Sequence, residues 1–409
     1  MADDLTKDSP AQRLLSRRLF LRGSALIGCS AAAWPMMSPV TFAAAPGDER
    51  LVVIILRGAM DGLDVVRPIG DPDYARYRKD SLTGGETGPA LTDFYALHPA
   101  LSDLMPLWHA RELGFAHAVA TPYRDKRSHF DGQDILEAGT GLDVPQPQVR
   151  DGWLNRMLQA VPDLHSNTAY AVGRDEMKVI EGAAPVMSWA PNTQLRLSDQ
   201  SQRLLEQVYA EDPLFHAASQ EAIAISAKLE SEKSGRSMRM SAAPKSEGAQ
   251  LGAFTAGRLR EETRIASFSL SGWDTHHNQR SVLSGRLREL SATLLALKSG
   301  LGPVWGKTTV LAMTEFGRTA RENGTTGTDH GTGGALIMAG GAIKGGKVYG
   351  RWPGLSDANL FEQRDLMPTA DVRAYAAWAM RGMFGFDKTL LETKVFPRLD
   401  MGNDPRIIA

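Results

Sequence analysis

Short, unbroken apolar runs restrict the folds open to this chain more than any other feature. Leu51–Leu56 reads LVVIIL, is rich in β-branched residues and is closed by Gly58. A run this short suits a strand better than a helix, and its lack of alternation implies burial on both faces. Comparable runs stand at Leu113–Ala120, Thr168–Gly173, Ile265–Leu270, Thr309–Thr314 and Ala335–Gly340. Helical spacing fills several of the intervals, at Leu101–Ala110, Leu154–Val161 and Val282–Leu301, and again near the end at Asp371–Gly385. This alternation predicts an α/β fold, a doubly wound, mostly parallel sheet flanked by helices. The 409 residues suffice for one large domain with an ample core.

The first 43 residues read as an address rather than as fold. Arg17–Arg18 precede a small-residue apolar stretch, the pattern of a twin-arginine signal peptide, which predicts export to the periplasm and a mature domain over residues 44–409. Leu26–Cys29, LIGC, also resembles a lipoprotein box, but small apolar residues continue well past Cys29, so cleavage near Ala43 is the expected route. No later segment approaches the roughly 18 apolar residues of a membrane span. Residues 226–252 are polar and rich in small side chains, and read as a flexible insertion.

Lys and Arg number 46 against 47 Asp and Glu, and this balance argues against a nucleic-acid partner. Cys29 is the single cysteine, so a metal in the mature chain would have to be held by His, Asp and Glu. In an open α/β sheet, ligands bind beyond the carboxyl ends of the strands. Asp61 and Asp64 follow the first run, Asp274, His276 and His277 follow Ile265–Leu270, and Glu315 and Arg318 follow Thr309–Thr314. Asp329 and His330 stand just before the last run. A lone acid after a strand is ordinarily a cap or a turn former. Four segments delivering acids and imidazoles to one edge predict a divalent-metal site, with Zn²⁺ or Mn²⁺ suited to mixed carboxylate and imidazole ligands.

Four stretches carry a family resemblance: LRGAMDGLD from Leu56, RSHFDGQDILEAG from Arg127, SGWDTHHNQ from Ser271 and TEFGRTARENGTTGTDHGTGGA from Thr314. Together they resemble the domain-of-unknown-function 1501 family, exported bacterial proteins placed in the alkaline phosphatase and sulfatase superfamily. The resemblance implies an alkaline-phosphatase-like fold and a metal-dependent hydrolase of phosphate or sulfate esters, with a small anionic ester as substrate. A non-catalytic exported protein that keeps the fold, with metal or ligand binding only, is the alternative. As ligands it implies Asp61, Asp274, one of His276 and His277, Glu315 and His330, with Asp329 orienting His330 or binding beside it. The superfamily usually shows Asp–His where this chain has Glu315–Phe316, and a sulfatase-type cysteine nucleophile is impossible in the mature chain. The implied nucleophile is Ser128, at an apparent helix start beside Arg124, Lys126 and Arg127, with Arg318 as a second catalytic group.

Overall fold

The computed structural model describes residues 40–43, 47–82, 86–124, 126–141, 151–160, 177–184, 186–189, 246–261 and 263–409. The apolar runs become the main strands: β2 (Arg50–Arg57), β5 (Leu113–Ala120), β7 (Ile265–Ser271), β8 (Thr308–Met313) and β9 (Gly334–Ala339). Shorter pieces are β1 (Val40–Ala43), β3 (Val66–Arg67), β4 (Ala96–Leu97), β6 (Met187–Trp189), β10 (Val348–Tyr349) and β11 (Ala370–Asp371). Nine strands form one sheet in the order β10-β5-β9-β8-β2-β7-β1-β6, with β11 also on β5, while β3 and β4 pair separately.

The fold is α/β, but the sheet is mixed rather than mostly parallel. β2 runs parallel to β7 and β8, whereas β9 is antiparallel to both β8 and β5, and β1 is antiparallel to β6 and β7. An unbroken apolar run reports burial on two faces and carries no information on direction. Here β8 and β9 are joined by a loop without a crossover helix, and a neighbouring strand reached that way runs antiparallel.

Both faces of β2 are covered, as its composition demands. Val52, Ile54 and Leu56 join one core with Leu283, Leu287, Leu290, Leu294 and Leu297 of the helix Gln279–Leu301. Leu51, Val53 and Ile55 join the opposite core with Trp153 of the helix Trp153–Gln159 and Ala376 and Met380 of the helix Val372–Phe384. Burying one such aliphatic side chain contributes about 1.5–3 kcal/mol, so the sheet is a rigid platform for the loops at its ends.

Three expectations touch the edges of the described region. The leader with Arg17, Arg18 and Cys29, and the run Thr168–Gly173, lie outside it. A cut after Ala43 would remove β1, which pairs Val40–Ala43 with β7. The expected insertion lies outside the described residues as far as 245; its last residues open a helix, Glu247–Leu259, capped by Ser246 through Ala249 N. No described helix is long and apolar enough to cross a membrane.

Candidate metal centre

The mixed topology gathers the chemistry at one edge. β2, β5, β7 and β8 end there, and β9, running the other way, begins there, so the loop ahead of β9 delivers His330 to the same place as the loops after the other four strands. The approach is close. Gly58, just after β2, has φ +119°, and a Cβ on it would lie 2.5 Å from the backbone nitrogen of Asp274. Glycine is required here on both counts. Its N–H donates to Glu315 Oε1 at 2.9 Å, tying the β2 and β8 loops together.

Beyond β5, Ser128 caps the helix His129–Ala138, its Oγ accepting from Asp131 N at 3.4 Å. His129 is therefore the first helical residue, and Phe316 stacks on its ring at 5.2 Å between centroids. His129, Asp274 and His330 each offer a ligand atom, all within 4.8 Å of one another. Asp274 is the hub: its Oδ2 lies 3.3 Å from His129 Nε2, and its Oδ1 lies 3.2 Å from His330 Nε2, 3.0 Å from His276 Nε2 and 2.7 Å from an Arg318 nitrogen.

The other ring nitrogens fix the tautomers. His129 Nδ1 lies 2.8 Å from Glu315 Oε1, His276 Nδ1 3.1 Å from Asp329 Oδ1, and His330 Nδ1 2.7 Å from the Arg127 carbonyl. Each partner is an acceptor, so each Nδ1 carries the hydrogen, and in its neutral form each ring turns an Nε2 lone pair toward Asp274. Nε2 of His276 and His330 stand 2.9 Å apart, and the buried Nε2 of His129 makes no hydrogen bond. Lone pairs facing one another and a carboxylate repel unless a cation or protons lie between them. Imidazoles backed by carboxylates or carbonyls in this way are the arrangement by which proteins orient metal ligands.

The surroundings hold the carboxylates ionised. Burial works to raise the Glu315 pKa, but hydrogen bonds from His129, Gln133 and the Gly58 N–H outweigh it and keep it low. Burial likewise works against the charged Asp274, and the Arg318 guanidinium more than offsets it. At Asp329 the Asn323 side-chain hydrogen bond leads in lowering the pKa. His129 is raised, first by its bond to Glu315, whereas burial lowers His330.

Several expected roles change. Asp61 does not join the cluster: it is buried, pairs with Arg78, accepts from Gln279 Nε2 at 2.6 Å and caps Leu63 N at 3.1 Å. Asp64 pairs with Arg67 at 2.8 Å. A sequence shows an acid after a strand but not the arginine that will claim it. His277 is exposed and lies outside the cluster, so His276 is the member of that pair at the site. Glu315 and Asp329 lie behind imidazoles rather than among the group of converging ligand atoms. Arg318 is buried with its donors committed to Asp274, Thr328 Oγ1 and the Thr328 carbonyl, which makes it a positioning residue rather than a group free to touch substrate. Ser128 lies beside His129 with its Oγ in the cap. His129 itself was missed. Its signal was the imidazole beside the expected nucleophile, at the start of a helix that follows a buried strand.

Asp61 still acts on the site through a buried polar line. Gln279 Oε1 accepts from Thr275 Oγ1 at 2.7 Å and from Thr328 Oγ1 at 2.5 Å, and Thr328 Oγ1 in turn accepts from Arg318 Nε at 3.1 Å. The chain from Arg78 through Asp61, Gln279, Thr328 and Arg318 therefore ends on Asp274.

Comparison with known families gives one match, the family described as "Protein of unknown function (DUF1501)", over residues 108–377. The chain belongs to that family. His129, Asp274, His276, Glu315, Arg318, Asp329 and His330 all fall inside the matched region, whereas Asp61 and Asp64 fall before it. No curated protein and no solved structure matches the chain.

Proposed function

We propose that this chain is an exported, metal-dependent hydrolase of phosphate or sulfate esters, holding one divalent ion, Zn²⁺ or Mn²⁺, on His129, Asp274 and His330 with His276 at its flank. The observation that carries the reading is the convergence of three imidazole Nε2 atoms on one carboxylate, each ring held from behind by an acceptor. Three protein ligands leave room at a tetrahedral ion for water or substrate, as catalytic sites require. With Asp61 claimed by Arg78, the donors present suit a single ion.

A divalent ion bound there would polarise an ester oxygen and lower the pKa of a hydroxyl beside it. The chain's own residues do the rest. Glu315 and Asp329 orient His129 and His276, Arg318 steadies Asp274, and Arg127 presents its carbonyl to His330. Ser128 stands between Arg127 and His129, and its hydroxyl, although used as an acceptor by the cap, keeps its proton to give up. Lys126 is exposed beside it and suits an anionic substrate. The ester class, the alkaline-phosphatase-like architecture and the twin-arginine route to the periplasm come from the sequence resemblance and form part of this proposal.

The cap at Ser128 favours a second reading, a non-catalytic exported protein that binds metal. Both readings are tested on protein reconstituted with Zn²⁺ or Mn²⁺ and assayed against p-nitrophenyl phosphate and p-nitrophenyl sulfate. The hydrolase reading expects turnover that vanishes on chelation and in His330→Ala. One bound ion without turnover on any ester supports the binding reading, and no bound ion after reconstitution overturns both.

A further inference from the structure

Away from the metal centre lies a cavity of about 590 Å³ between the first turns of the helix Gln279–Leu301 and the segment around His98. None of His129, Asp274, His276 or His330 lines it. Its volume falls within the range of small-molecule sites. Its lining residues are polar or charged apart from Pro99 and Ala100, which suits a polar ligand better than a lipid.

The floor holds a donor without a partner. His98 is 3% exposed, and its Nδ1 accepts from Ala100 N at 3.0 Å, so the hydrogen of the neutral ring sits on Nε2. Among the described residues, no acceptor meets that N–H. That N–H is therefore open to an acceptor on a ligand in the cavity that His98 lines. Arg67, in the same wall, is already tied to Asp64 and to the carbonyls of Glu86 and Thr87.

Charge and hydroxyl recognition complete the site. Arg280 and Arg288 line the cavity from one helix and have no ion-pair partner among the described residues. The helix rise separates their backbones by about 12 Å, a span that two long side chains can close around one ligand. Glu86 and Asp103 also face the cavity and are acceptors suited to hydroxyl groups. We propose that this cavity binds a small, hydroxyl-rich oxyanion, of the class of sugar phosphates and sugar acids. Arg280 and Arg288 hold the oxyanion, Glu86 and Asp103 accept from hydroxyls, and His98 Nε2 donates from the floor.

Isothermal titration of the full chain with glucose 6-phosphate and gluconate tests this, with glucose and inorganic phosphate as partial ligands. Saturable binding of at least one of the first two is expected, tighter than either partial ligand. Arg280→Gln and Arg288→Gln should each weaken it about tenfold or more, the loss expected for a charged hydrogen bond. Both arginines are exposed, and circular dichroism of the variants confirms that the fold persists. His330→Ala should leave the affinity unchanged. The proposal is overturned by no binding of either probe, by affinity unchanged in both arginine variants, by equal affinity for glucose or for inorganic phosphate, or by loss of binding in His330→Ala, which would put the ligand at the metal centre.

Discussion

His276 Nε2 and His330 Nε2 face each other at 2.9 Å while both rings spend their Nδ1 hydrogens elsewhere, on Asp329 and on the Arg127 carbonyl. Two neutral imidazoles in those tautomers have no hydrogen to share across the gap. Either a proton or a cation resolves the contact, and the ligand atoms of His129 and Asp274 beside them are what the proposed metal site rests on.

Metal content follows directly. Protein reconstituted with Zn²⁺ should carry close to one ion per chain by elemental analysis, and its thermal midpoint should fall on chelation, because an ion that binds only the folded state adds about 2.7 kcal/mol at a hundredfold excess over its Kd. Glu315→Gln keeps a side chain near His129 but removes the charge that orients it. Metal affinity should then drop about 10–100-fold, the usual cost of losing such a partner. Unchanged affinity in a competition titration would remove Glu315 from the site.

Asp61 gives the opposite expectation. Its carboxylate and the Arg78 guanidinium are both buried, and Asp61 is held further by Gln279 and by the Leu63 N–H. Arg78→Ala leaves an uncompensated buried charge and should cost about 3–5 kcal/mol in urea unfolding. Asp61→Asn should lower stability and still retain one metal per chain. Loss of the ion in this variant, with the fold intact by circular dichroism, would restore Asp61 as a ligand.

Ser128 separates capping from chemistry. As a cap alone, Ser128→Ala should cost about 1 kcal/mol and leave turnover largely intact. As the nucleophile of the proposed hydrolase, it should abolish turnover while metal content stays at one ion. Turnover, thermal midpoint and metal content on the same variant decide between the two.

What the sequence made legible depended on whether the physics is local. Two-sided burial leaves its mark as an unbroken apolar run, so β2, β5, β7, β8 and β9 were readable to within a residue or two. Strand direction depends on how the chain returns, and β9 turned out antiparallel. That reversal is what brings His330 to the working edge, since a parallel β9 would have begun at the far one. The site residues divide in the same way. Asp274, His276 and His330 were visible as clustered ligand types, but the assignment of Asp61 to Arg78 and of Arg318 to Thr328 and Asp274 depends on partners distant in sequence. Gly58 could be read as a turn; that a Cβ there would strike Asp274 could not.

Two buried histidines far from any metal chemistry set an acid limit on stability. Burial pushes the pKa of both His98 and His117 down to about 4. His117 is held neutral between the Val66 carbonyl, 2.9 Å from Nε2, and the Ala118 N–H, which donates to Nδ1. Below the usual histidine value of about 6.5 the unfolded chain takes up protons that the folded chain refuses. Stability contributed by keeping these rings neutral is therefore complete above pH 6.5, declines as pH falls toward 4 and levels off below it. A shift of this size corresponds to on the order of 3 kcal/mol for each ring. His117→Gln keeps a donor for Val66 and removes the titration, so the difference in unfolding free energy between pH 7 and pH 5 should be smaller in the variant than in the parent. Equal losses over that interval would take the acid sensitivity away from His117 and leave it with His98.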